Sequence, residues 1–235
     1  MSAIFRKEFR SFFTSPIGCI VIAAVFAVAG FLFTMYNLYY GMANLTGVYS
    51  GLFVITLLAT PLLTMRLFSE EKRQRTDQAL LTAPGSLTGI VVGKFLAALL
   101  LFVIATSITL VYAVILAIKV SPDWSLLIGN YLGLLMVGGF IISIGTFISS
   151  LTESQLIAAL GTIVISIAFL YMDAVAENLV AFPLIYEVIT FLSISIRYGE
   201  FTSGLVNYDS ILYFLSIQAL FLFLTVRVLD SKRWR

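Results

Sequence analysis

Glu70, Glu71, Lys72, Arg73, Arg75 and Asp77 form the densest run of charge in the chain, and Ala79, Leu80 and Leu81 follow it directly. A helix with both charge signs on one part and an apolar patch on another suits docking on a protein. A patch that binds lipid headgroups would be purely basic. A solvated loop that only signals topology fits the same spacing equally well. Bond-making chemistry has little to work with. Histidine is absent, which removes the commonest general base and nitrogen ligand and leaves a serine nucleophile without its activator. The one cysteine, Cys19, lies in an apolar run, so neither a disulfide framework nor a thiolate cluster is available. Gly89, Gly93 and Lys94 only faintly resemble a phosphate loop. Three residues separate the glycines where four are needed, and Phe95 stands where Ser or Thr should follow the lysine.

The elements that must position these charges are membrane helices. Of the 235 residues 60% are hydrophobic and 11% charged, against roughly a quarter charged in soluble domains. No Asp, Glu, Lys or Arg occurs from Ser11 to Met65, from Phe95 to Ile118, or from Trp124 to Thr152. A span needs roughly 20 apolar residues, so the pattern predicts an all-α integral membrane protein, a single transmembrane domain over 1–235. Six spans are expected at 17–37, 49–67, 90–118, 125–149, 155–172 and 210–228, with Pro61 loosening the end of the second. Small-residue pairs such as Gly47/Gly51 and Gly129/Gly133 would allow close helix approach.

Three segments stand outside the spans. Residues 1–15 predict an amphipathic interfacial helix, with Phe5, Phe9, Phe12 and Phe13 toward lipid and Arg6 and Arg10 toward headgroups. An uncleaved first span fits better than a signal peptide, because the apolar run continues well past Ala29. Residues 69–86 form a charged cytoplasmic segment expected to be solvent-exposed. Residues 173–209 hold five acids and one base, Arg197, around an apolar stretch broken by Pro183 and Glu187. That stretch is too broken for a full span and predicts a re-entrant or interfacial helical pair. With both termini inside, twelve lysines and arginines face the cytoplasm, and Lys119 and Arg197 face out. The spans lack the mid-membrane carboxylates that mark proton relays and ion-coupled carriers. Such a machine must borrow work from a partner.

The stretch Leu67-Phe68-Ser69-Glu70-Glu71-Lys72-Arg73, then Thr76, then Leu80 to Pro84, then Gly93-Lys94-Phe95, resembles the signature of ABC-2 type permeases, the membrane subunits of bacterial ABC exporters. Phe147 to Gln155 is similar to that family's turn between spans four and five. The end, from Phe201 through Tyr213 to Arg235, resembles the gliding-motility-associated (GldF-like) branch. Where the family usually has glycine before the threonine, this chain has Arg75.

The resemblance implies a type V exporter-like fold in the bacterial cytoplasmic membrane. It implies a dimer with a second copy or close paralogue, each copy gripping a cytoplasmic ATPase that holds ATP and magnesium. This chain would bind no cofactor, no metal and no nucleic acid. Phe5, Phe9, Glu70, Glu71, Arg73, Arg75, Thr76, Leu80 and Leu81 would form the coupling surface. A hydrophobic or amphipathic substrate would pass between protomers, along Asn37, Phe53, Thr56 and Thr60, although plain helix packing explains that spacing too. Arg197, Tyr198, Glu200 and Asn207 would rim the outer region and meet an extracytoplasmic accessory protein. A stand-alone channel and an intramembrane enzyme are the competing classes. Transport without nucleotide would mark the first, and product formation by the chain alone the second.

Overall fold

The structure, a computed structural model, describes residues 2–76, 86–119, 121–177 and 182–233. Every regular element among them is helical. Helix α1 (Ser2–Thr14) is followed at once by α2 (Pro16–Phe33), which widens into a π-type turn at Thr34–Tyr39. Ser15 makes the corner: its backbone is extended, its hydroxyl accepts from the Ile17 amide, and Pro16 takes the first helical position. Then come α3 (Thr46–Thr64), the short α4 (Ser69–Arg73), α5 (Leu87–Thr106) and α6 (Ile108–Lys119). The remainder is α7 (Trp124–Leu151), α8 (Gln155–Leu170), α9 (Met172–Glu177), α10 (Pro183–Leu192), α11 (Ile194–Thr202) and α12 (Tyr208–Arg233). Side chains placed at the starts explain the boundaries: Ser86 caps α5, Asp123 caps α7, Ser154 caps α8 and Ser193 caps α11.

Among the described residues five segments are long and apolar enough to cross a membrane: Pro16–Tyr39, Thr46–Arg73, Leu87–Lys119, Trp124–Leu151 and Tyr208–Arg233. The expected fifth span, α8, has 16 residues, about 24 Å of helix, which falls short of the roughly 30 Å hydrocarbon layer. Tyr171 and α9 extend the path without adding to that helix.

Helix α7 is the central post. Leu134, Val137, Phe140, Ile141, Ile142 and Ile144 are fully buried on it, and α3, α8, α11 and α12 all pack against it. Gly129 and Gly133 seat α11: a Cβ at either would lie 2.6–2.7 Å from Phe201. Helix α3 carries Pro61 and ends one turn later at Thr64.

The amphipathic helix departs from expectation on one face. Phe13 is exposed, but Phe12 is buried in the core and Phe5 and Phe9 pack half-buried against it. The reason is Glu8, four residues before Phe12 on the same face, which reaches inward to Lys94 of α5. Helix α1 therefore packs on protein along the side that carries Glu8 and Phe12.

Candidate functional site

One end of the bundle gathers the charges. The Lys94 side chain is 1% exposed, and it starts from the second turn of α5, which Ser86 has capped. Its ammonium lies 2.9 Å from Glu8 Oε1, 3.0 Å from Glu71 Oε1 and 2.6 Å from the Leu67 carbonyl, with the Phe68 ring 5.0 Å away. An ammonium has three donors, and three oxygens lie within 3.0 Å of this one. Lys7 adds a looser contact, 3.5 Å from Glu71. Arg66 pairs with Glu70 at 2.9 Å and donates to the Ser15 hydroxyl at the corner between α1 and α2. Three chain segments distant in sequence, α1, the stretch from Arg66 through α4, and α5, are thereby braced as one unit around a cavity of about 280 Å³.

A second joint fixes α4 to the central post. Phe68 offers α4 no side-chain cap. Ser149 of α7 supplies one from a distance: its hydroxyl accepts from the Phe68 and Ser69 amides at 3.0 and 3.1 Å and donates to the Met65 carbonyl. The adjacent Ser150 carbonyl accepts from Lys72 of α4 and, at 3.3 Å, from Lys232 near the end of α12. The far end of α4 closes in a left-handed turn. Arg75 has φ +55°, the Arg75 amide donates to Lys72, and the Thr76 amide donates to Glu71 at 2.9 Å. This is a Schellman arrangement, whose left-handed position favours glycine. The family's usual glycine before the threonine is thus explained, and Arg75 holds the same backbone at a strain cost.

These contacts overturn the expectation of an exposed acidic docking face. Glu71 is largely buried and bound to Lys94, and Glu70 is half-buried and bound to Arg66. Exchanging both for lysine would put positive charges beside Lys94 and Arg66, so such a chain would not fold normally. The outward residues are Arg73, Gln74, Arg75 and Thr76, and Arg73 faces Glu153, Ser154 and Gln155 across an open cleft. Leu80 and Leu81 lie outside the described residues. Sequence reasoning missed Glu8 and Ser149. The one available signal for Glu8 was an acid on the inner side of an otherwise basic helix.

Of the expected route residues, Thr56 and Thr60 sit inside the protomer and Phe53 and Asn37 are half-buried. Thr56 and Thr60 are buried and donate to Leu52 and Thr56 carbonyls of their own helix at 2.8 and 2.6 Å. Phe53 stacks on Tyr198 with centroids 4.5 Å apart. Asn37 donates to the Met42 and Asn44 carbonyls and pins the loop there.

At the opposite end, Tyr198 is buried and its hydroxyl donates to the Tyr49 carbonyl. It is therefore a packing residue and not the surface contact expected. Glu200 accepts from Asn207 and Ser210 and ties α11 to the start of α12. Of that set Asn207 remains exposed.

Residues 2–234 match the family described as ABC-2 family transporter protein. No curated protein matches the chain. The match covers nearly the whole sequence, and the chain belongs to the ABC-2 family.

Proposed function

We propose that this ABC-2 family member is the permease subunit of an exporter that moves a hydrophobic or amphipathic substrate with ATP hydrolysed by a separate cytoplasmic ATPase, in a dimer with a second copy or close paralogue. The observation that carries the proposal is the Lys94 brace, which makes α1, α4 and the start of α5 one stiff unit, joined to the central helix through Ser149. A push on the exposed tip at Arg73, Arg75 and Thr76 would travel into the bundle without being absorbed by a soft loop. The 69–86 segment and the outer face of α1 are the assigned coupling surface.

The assigned topology is six spans with both termini in the cytoplasm of a bacterial cell. Support comes from Ser15, which meets Arg66, and Lys232, which meets Ser150. Both chain ends lie at the charged end, and a bundle that starts and finishes at one end crosses an even number of times. With five long spans, α8 is assigned as the sixth crossing. The outer segment is assigned as a re-entrant pair. Ser195 bonds the Leu170 carbonyl at 2.9 Å and Tyr213 bonds the Leu192 carbonyl at 2.7 Å, which ties the bend between α10 and α11 to the end of α8 and the early turns of α12.

Co-expression of the tagged chain with a candidate cytoplasmic ABC ATPase from the same genome tests the proposal. The two are expected to copurify, and transport by the reconstituted pair is expected to need ATP. Passage of solute through the chain with no ATPase bound would favour a channel and overturn it.

A further inference from the structure

At the end of the bundle opposite Lys94, Arg197 of α11 is a cation that the fold encloses but does not satisfy. Its side chain is 17% exposed, and its Nε is buried without a hydrogen-bond partner. The nearer Glu200 oxygen, Oε1, makes a long ion pair with Nη1 at 3.9 Å, beyond hydrogen-bond reach, while Oε2 accepts from Asn207 and Ser210. What surrounds the guanidinium is aromatic: its central carbon is 5.0 Å from the Phe191 ring centre and 5.7 Å from that of Tyr213. Ring faces stabilise the charge but leave the five N–H donors of the planar fork to find acceptors elsewhere. A guanidinium with one buried donor unpaired among the described residues and only a long ion pair is costly to keep, and in a membrane protein it marks a site.

The surface beside it has a direction. Leu184, Val188 and Phe191 on α10 are 80, 60 and 54% exposed, and their spacing of four and three puts them on one helix face. That face is apolar over about 10 Å of rise and ends at Phe191, the residue that touches Arg197. We propose that Arg197 binds the anionic headgroup of a membrane phospholipid, its fork meeting the phosphate oxygens, while an acyl chain lies along Leu184, Val188 and Phe191. A planar bidentate donor fits phosphate better than a point charge does. The apolar face gives the tail its path and distinguishes a lipid from a free anion.

The test uses the purified chain in detergent, supplemented with phosphatidylglycerol or with phosphatidylcholine of the same acyl chains. Bound lipid is read by native mass spectrometry and stability by thermal unfolding. The wild type is expected to retain phosphatidylglycerol preferentially and to melt higher with it. Arg197→Gln should lower that retention about tenfold, equivalent to roughly 1.4 kcal/mol, and bring the two melting temperatures together. Arg197→Lys should fall between. Should Arg197→Gln fold poorly, Val188→Gln, at an exposed position, is expected to weaken retention of long-chain phosphatidylglycerol more than of a short-chain form. Equal retention of both lipids by the wild type would overturn the proposal. So would an Arg197→Gln loss of stability that is the same in either lipid, since Arg197 would then be a brace only. A full stabilising shift from inorganic phosphate alone would also overturn it, leaving a bare anion site.

Discussion

Lys94 and Arg197 are both mostly buried cations, one at each end of the helical bundle, and the fold treats them in opposite ways. Lys94 has three oxygens within 3.0 Å, two of them from carboxylates. Arg197 has rings around it and a carboxylate too far to bond. Enclosing a charge is expensive in both cases. At the Lys94 end most of the expense is met within the chain, although Glu71 Oε2 is left without a hydrogen-bond partner among the described residues, so the result is a rigid joint. At the Arg197 end it is left open, so the result is a place for something else to bind. Burial alone does not separate brace from site; the acceptor count does.

Lys94→Met gives the sharpest way to break that contrast. It leaves Glu8 and Glu71 in a largely enclosed space with only the exposed and more distant Lys7 as a cation, and a loss of about 3–5 kcal/mol is expected. Thermal unfolding in detergent would show it. Adding Glu8→Gln and Glu71→Gln should recover most of the loss, because the uncompensated charges are then gone. A Lys94→Met chain that melts like the wild type would mean the three groups do not form a brace.

Ser149→Ala ranks next. It removes the shared acceptor of the Phe68 and Ser69 amides in a buried place, and about 1–3 kcal/mol should be lost. Hydrogen exchange should rise at α4 more than at α7. Arg75→Gly should work the other way: relief of the left-handed turn is expected to raise stability by about 0.5–1 kcal/mol, read as a higher melting temperature. The smallest change in stability is expected from Arg73→Ala with Thr76→Ala. Both side chains are exposed, so melting should move by no more than about 0.5 kcal/mol, while ATP hydrolysis by the copurified ATPase loses its link to transport. If coupling survives that pair, the tip of α4 is not the contact.

The spans were legible in the sequence because lipid imposes a run of uncharged residues, and the boundaries because Ser15, Ser86, Asp123 and Ser154 are residues that begin helices. Helix α8 escaped the length rule because its apolar pattern passes Tyr171 while the helix itself stops at Leu170. The site was less legible. Glu8 and Lys94 are 86 positions apart, and Ser149 caps a helix it does not precede, so neither partnership leaves a local pattern. Glu70 and Glu71 looked like a solvated face because spacing cannot tell which side of a five-residue helix meets protein. Thr56 and Thr60 were ambiguous for a related reason: a period of four suits a lined route and suits hydroxyls that bond back to their own helix. Arg75 was visible as a departure from the family's glycine, and only the backbone angle gave it a cause.

The distance in sequence between Glu8 and Lys94 also sets an order of events during synthesis. A ribosome adding about 5–20 residues per second needs roughly 4–17 s to travel from one residue to the other. Through that interval the N-terminal helix has neither its counter-ion nor the α5 surface that covers Phe12. Nascent chains arrested before residue 94 should therefore leave α1 open to protease. Chains arrested well beyond it, with α5 released into the membrane, should protect α1, so the joint that stiffens the charged end closes late in the birth of the protein.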